Sequence, residues 1–171
     1  MTKLKIDRTT SLQNLLDKTK RKQYVDKDVL ESAPKVEGDE IEFFKLGRYV
    51  SDEDLEKEYT KRGLVPADIY SIVSYDLENA EETDKMKYVG THWKDKDGEW
   101  CFSTFDRWDG GERSVRVSRH DSGWDGRWWF AGLRASISSQ NLEPQNSLDT
   151  QSLTLEERIE KLEEQIKQIL K

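Results

Sequence analysis

The 171-residue chain is short of most residues that mark a reaction or a compartment. It has one cysteine, Cys101, three prolines, and two histidines, His92 and His120. A single cysteine excludes an intrachain disulfide and fits a reducing, cytoplasmic location. No run of about 18 apolar residues is present, which excludes a transmembrane helix. The opening Met1–Arg8 lacks the apolar stretch of a secretory signal. The chain contains neither G-x-x-x-x-G-K-[ST] nor G-x-G-x-x-G, so no glycine-rich phosphate loop is expected. No cysteine–histidine spacing suits zinc, and no cofactor is implied. Large apolar side chains are scarce too: hydrophobic residues make up 34% and charged residues 37%, against about 45–50% and about 25% in average globular chains. Only part of the chain can therefore supply a core. The net charge of −7 argues against a generic nucleic-acid binder and a membrane partner.

What is present is unevenly placed. Residues 1–35 carry a net charge of +4, residues 36–99 of −9, residues 100–134 of +1 and residues 135–171 of −3. All six cations of the third block are arginine. All six tryptophans, from Trp93 to Trp129, fall within 37 consecutive residues.

The N-terminal block reads as a short amphipathic helix. Thr10 and Gln13 form a capping box, followed by Leu12, Leu15 and Leu16 at helical spacing and the basic run Lys18–Lys22. That run reads as a solvated last turn or as a contact for an acidic partner. Ile41–Phe44 reads as a strand. Ser51, followed by Asp52, Glu53 and Asp54, is a strong helix start, with Val50 and Leu55 as a hydrophobic staple. Gly63 stops that helix. Pro66 suits the first turn of a second helix, whose Ile69, Ile72, Val73 and Leu77 mark one buried face. Tyr88–Lys94 and Glu99–Phe105 flank the turn Asp95–Gly98 as a β-hairpin. Arg113–Arg119 and Arg127–Leu133 are further strands. Beyond Arg134, a Ser-, Gln- and Asn-rich linker leads to a capping box at Thr154 and Glu157. A heptad seam of Leu155, Ile159, Leu162, Ile166 and Ile169 follows. A free helix this short is marginal in water, so its stripe asks for a partner, most simply another copy of the chain.

Three sites of chemistry present themselves. Cys101 could be a nucleophile with His92 beside it, but a lone cysteine between Trp100 and Phe102 reads as core. Asp95-Lys96-Asp97-Gly98-Glu99 imitates part of a calcium loop, but the hairpin turn explains the same residues. The Trp/Arg block is the most informative. Trp, Tyr and Arg dominate binding hot spots, and arginine suits planar stacking and bidentate contacts. Trp93, Trp100, Trp129 and part of Trp128 are expected to fill the core. Trp108 and Trp124 lie in turns and are candidates for exposure.

Short motifs within residues 41–134 carry a resemblance. Gly63-Leu64-Val65-Pro66-Ala67-Asp68-Ile69-Tyr70 is similar to the R-L-P-T-E-x-E-W segment of formylglycine-generating-enzyme-like (sulfatase-modifying factor) domains. Trp129–Arg134 resembles their closing strand. Gly90-Thr91-His92-Trp93 and Trp124-Asp125-Gly126 resemble features of the C-type-lectin fold. The overall pattern also resembles small proteins of bacteria with reduced genomes. The oxidase members use paired cysteines, so the single Cys101 departs from that activity. The calcium-binding lectins use Trp-Asn-Asp, from which Trp124-Asp125-Gly126 departs. Non-catalytic members bind ligands through the loops before the last strand, which implies a ligand surface on residues 119–127.

These readings give an α+β protein with an antiparallel, C-type-lectin-like sheet, two covering helices and a C-terminal coiled-coil helix. Its parts are a basic helix and extension (1–40), an α+β binding domain (41–134), a flexible linker (135–153) and a coiled-coil oligomerisation helix (154–171). The expected function is non-enzymatic binding of a protein or carbohydrate ligand by a homo-oligomer. The binding residues are Trp108, Arg116, Arg119, His120, Asp121, Trp124, Asp125 and Arg127. The alternatives are a small hydrolase using His92 and His120, or an adaptor or inhibitor protein of a larger assembly.

Overall fold

The computed structural model describes residues 2–120 and 122–134. In chain order these form β1 (Thr2–Lys3), α1 (Leu12–Lys18), β2 (Lys22–Val25), α2 (Lys27–Glu31), β3 (Glu40–Lys45) and α3 (Asp52–Lys61). There follow β4 (Val65–Pro66), α4 (Ile69–Glu78), α5 (Ala80–Met86), β5 (Tyr88–Lys94), β6 (Trp100–Arg107), β7 (Arg113–Arg119) and β8 (Trp129–Leu133). The described part is thus mixed α+β. Its eight strands make one sheet in the order β1-β3-β8-β5-β6-β7-β2, with β4 also bonded to β8.

The meander β5–β6–β7 is antiparallel, as its turns predict, and Asp95 closes the first hairpin by accepting from the backbone N–H groups of Asp97 and Glu99. The whole sheet, however, is mixed: β2 joins β7 in parallel and β8 joins β5 in parallel. The expected all-antiparallel sheet with two helices is corrected accordingly, with five helices among the described residues. The first 40 residues are also part of the sheet. β1 lies on one edge and β2 on the other, and Leu12, Leu15 and Leu16 of α1 are buried.

Local signals act much as their chemistry requires. Ser51 caps α3, its hydroxyl accepting from the Asp54 N–H at 3.2 Å. Gly63 ends the helix at φ 65°, a left-handed conformation that glycine adopts without Cβ strain. Three details differ. The α1 cap is Ser11, not Thr10. Pro66 pairs in β4 and leaves the α4 cap to Asp68. Leu77 is exposed, while Tyr75 and Asp76 of the same turn are buried, so the last turn of α4 presents those side chains to the core instead. The basic run also has an unforeseen member. Arg21 is 4% exposed and bonds both oxygens of Asp76 at 2.9 and 2.6 Å. It also donates to the Asp106 carbonyl at 3.0 Å.

The alternation of β6 decides which face is covered. Cys101, Ser103 and Phe105 are fully buried beneath α1, α2 and α4, together with Val89, Val115 and Val117. On the opposite face, among the described residues, α3 alone packs down, and it covers one side of the sheet. Its Leu55 and Tyr59 join Phe44, Val50, Leu64, Trp124 and Phe130 in a second, smaller core. Among the described residues, no helix lies over the β6–β7 half of that face.

Gly90 on β5 sits under the indole of Trp124. A Cβ added there would meet Trp124 Cζ3 at 2.5 Å, and the buried indole cannot move aside. Gly90→Ala is therefore expected to destabilise the fold by about 1–3 kcal/mol through overpacking. Thermal unfolding measures it, and an unchanged melting temperature would refute the packing described.

Candidate functional site

The uncovered half of the sheet is a groove of about 470 Å³, within the ordinary range for ligand pockets of roughly 300–1,000 Å³. Its floor is the outward register of three strands: Tyr88 from β5, Phe102, Thr104 and Asp106 from β6, and Arg116 and Ser118 from β7. One wall is the segment between β7 and β8, with His120, Trp124, Asp125, Arg127 and Trp128. Trp108 stands at the end of β6.

That wall is fixed by strong local bonds. Val50 and Trp124 exchange backbone hydrogen bonds of 2.9 and 2.8 Å, an isolated antiparallel bridge. Arg127 closes a turn on Asp125 with both its backbone N–H and its guanidinium, the shortest contact being 2.7 Å. The arginine holds the Asp125 carboxyl below its ordinary range.

At one end of the groove a single carboxylate organises the wall. Asp52 is the first residue of α3 and is buried. Its Oδ1 accepts from His92 Nδ1 at 2.7 Å and from Trp124 Nε1 at 2.8 Å; its Oδ2 accepts from His120 Nδ1 at 2.9 Å. Burial raises the Asp52 pKa, but the bonds from His120, His92 and Trp124 outweigh it and hold the carboxyl well below its usual range. Burial works against a charged His92, yet bonds to Asp52 and Glu56 leave its pKa raised. His92 Nε2 is 2.9 Å from Glu56 Oε1, though the angle makes this an ion-pair contact without a directed hydrogen bond. Trp100 stacks on the His92 ring at 4.7 Å. His92 is 1% exposed and does not line the groove; it sits in the interior, bonded to Asp52. His120 does line the groove, with its side chain 12% exposed.

Asp106 lies toward the other end. It is 6% exposed, and its Oδ1 has no hydrogen-bond partner among the described residues. Its Oδ2 receives only a long bond from Thr104 Oγ1, at 3.4 Å. Burial raises its pKa from 3.8 to about 6, against the opposing pull of Arg116 and Arg21. Around it stand Tyr88, its direct cross-strand partner, and the indoles of Trp108 and Trp128, 6.4 and 5.6 Å from the Tyr88 ring.

Of the eight residues the sequence nominates for binding, seven line this one groove: Trp108, Arg116, Arg119, His120, Trp124, Asp125 and Arg127. Asp121 lies outside the described residues, as do the linker and the heptad residues Leu155, Ile159, Leu162, Ile166 and Ile169. One of the two candidates for exposure changes character. Trp124 is 2% exposed and belongs to the second core, so it shapes the wall from within. Trp108 is 48% exposed and presents its ring. Arg119 is drawn toward Asp95, at 3.3 Å. Sequence reasoning missed Asp106, Tyr88 and Asp52. For Asp106 the signal was available: it shares the outward parity of Phe102 and Thr104. Cys101 is buried, and burial with the nearby Asp95 carboxylate pushes its thiol pKa up, away from a nucleophilic thiolate.

Compared with known protein families, curated proteins and solved structures, the chain matches none.

The raised Asp106 pKa fixes a pH dependence. Below about pH 3 the carboxyl is neutral in both folded and unfolded chains. Between about pH 4 and pH 6 the unfolded chain ionises it and the folded chain resists, so stability falls across that window by about 3 kcal/mol and is level above it. Asp106→Asn is expected to raise the melting temperature by several degrees at pH 7.5 and to leave it unchanged near pH 3. Equal effects at both values would show that Asp106 is not a strained acid.

Proposed function

We propose that the protein is a non-enzymatic binding module and that the groove over β6 and β7 receives its ligand. The observation that carries this reading is the spacing of the groove's polar groups. His120 follows Arg119, which pairs with Cys101, so it lies level with Trp100, whereas Asp106 pairs with Ser114. Six residues of extended strand, about 20 Å, separate the two ends. General acid–base chemistry needs its groups within hydrogen-bond reach of one reacting centre. Groups set this far apart suit two ends of an extended ligand. The groove's planar side chains add stacking surface at low rotamer cost.

A second reading rests on Asp52 and His120. A carboxylate on Nδ1 orients an imidazole as in a general base, and Ser118 and Ser122 line the same groove. On this reading the protein is a small hydrolase, with His120 as the base and His92 taking no part.

One set of measurements separates the two. Tryptophan fluorescence titrations with mononucleotides, short oligosaccharides and extended pentapeptides are expected to find saturable binding by one class. Trp108→Ala is expected to weaken it tenfold or more while the fold survives, because Trp108 is exposed. Failure of every class to bind, or binding indifferent to Trp108→Ala, removes the binding reading. Turnover of p-nitrophenyl acetate or phosphate that disappears in His120→Gln would establish the hydrolase instead.

The heptad seam at residues 154–171 is read as joining copies of the chain, so that several grooves act together and apparent affinity rises about 10²–10⁴-fold. Light scattering is expected to show an oligomer for the full chain and a monomer for residues 1–153. An unchanged mass after truncation would contradict it.

A further inference from the structure

We infer that the Asp106 end of the groove is a nucleobase subsite, with guanine the base that fits it best; this rests on the reading of the groove as a binding surface. Two opposite charges face the groove from adjacent strands without meeting. Arg116 pairs with Thr104, one diagonal step from Asp106. It is near enough to pull the Asp106 pKa down, yet it makes no ion pair with it. Its guanidinium lies instead 5.6 Å over the Tyr24 ring. Asp106 lines the groove, and its Oδ1 is buried without a hydrogen-bond partner among the described residues. A buried carboxylate oxygen without a donor is costly, and the raised pKa is the sign of that cost.

The guest that satisfies both groups must donate to Asp106 and accept from Arg116. A cationic guest would meet the guanidinium of Arg116 as a like charge. An anionic one would meet Asp106 in the same way. A hexose has hydroxyls all round its rim, and each would need a partner, whereas the subsite offers one open acceptor and one guanidinium. A base concentrates its polar groups on an edge and leaves its faces for stacking. Guanine places the acceptors O6 and N7, the usual partners of arginine, next to its N1–H and N2–H donors, which suit a carboxylate. Trp108 supplies an exposed indole for stacking, worth about 1–3 kcal/mol per base in other proteins. With the base at Asp106, the sugar and phosphate of a mononucleotide would extend along Thr104 and Ser118 toward His120.

The test is isothermal titration of the full chain with GMP, AMP and ribose 5-phosphate at pH 7.5. GMP is expected to bind at least tenfold tighter than AMP, and ribose 5-phosphate not measurably. Asp106→Asn is expected to weaken GMP at least tenfold while the same protein melts at a higher temperature, so the loss cannot be unfolding. Arg116→Ala gives an independent loss through the accepting edge. Equal binding of GMP, AMP and ribose 5-phosphate, or GMP binding unchanged in Asp106→Asn, overturns the assignment. Binding of an oligosaccharide or a pentapeptide that is lost in Trp108→Ala, with no response to GMP, would keep the groove as a binding surface and reject the nucleobase. No binding by any of them rejects both.

Discussion

The Asp52 carboxylate gathers three donors from distant parts of the chain: His92 from the middle of β5, His120 from the end of β7, and Trp124 from the segment before β8. A buried carboxylate is tolerated only when donors replace the water it has lost. Here each oxygen has a donor, and the positive end of α3 lies behind it. The same bonds that keep Asp52 charged therefore fix the N-terminus of α3 against the sheet. They also fix the groove wall, because Trp124 and His120 cannot leave Asp52 without exposing it unpaired.

From that anchor the asymmetry of the sheet follows. One face is covered by α1, α2 and α4 and holds the larger core. The other has α3 alone, and α3 is held to the side where His92 lies. Among the described residues nothing covers the region over β6 and β7, and the outward side chains of those strands line the groove there. Asp106 faces this open region on the outer side, while Arg21, paired with Asp76, holds the backbone carbonyl of the same residue from the inner side. The strand is thus rigid at the point where its side chain is least satisfied.

Much of this was legible one strand at a time. β5 and β7 have the bounds their alternation predicts, and the inward residues of β6 are Cys101, Ser103 and Phe105 as parity requires. The Ser51 cap and the Gly63 stop were equally plain, since both act within a few residues. Trp124 was misjudged for a physical reason. A turn containing Gly123 and Gly126 suggests exposure, but a two-bond bridge to Val50, seventy-four residues away, turns its ring inward. Arg21 was misjudged likewise: among lysines it looks solvated, and only α4 brings Asp76 to it.

The amino-acid order by itself determined the periods, the caps, the turns and the concentration of Trp and Arg in residues 93–134, because these depend on neighbours along the chain. It also nominated seven residues that line one groove. Which face of the sheet stays open, which tryptophan is presented, and which acid is left with an open oxygen were decided only by the tertiary structure. Those properties depend on α3 crossing one side of the sheet and on α1, α2 and α4 crossing the other. Burial is a sum over contacts from remote segments, and no local pattern contains that sum.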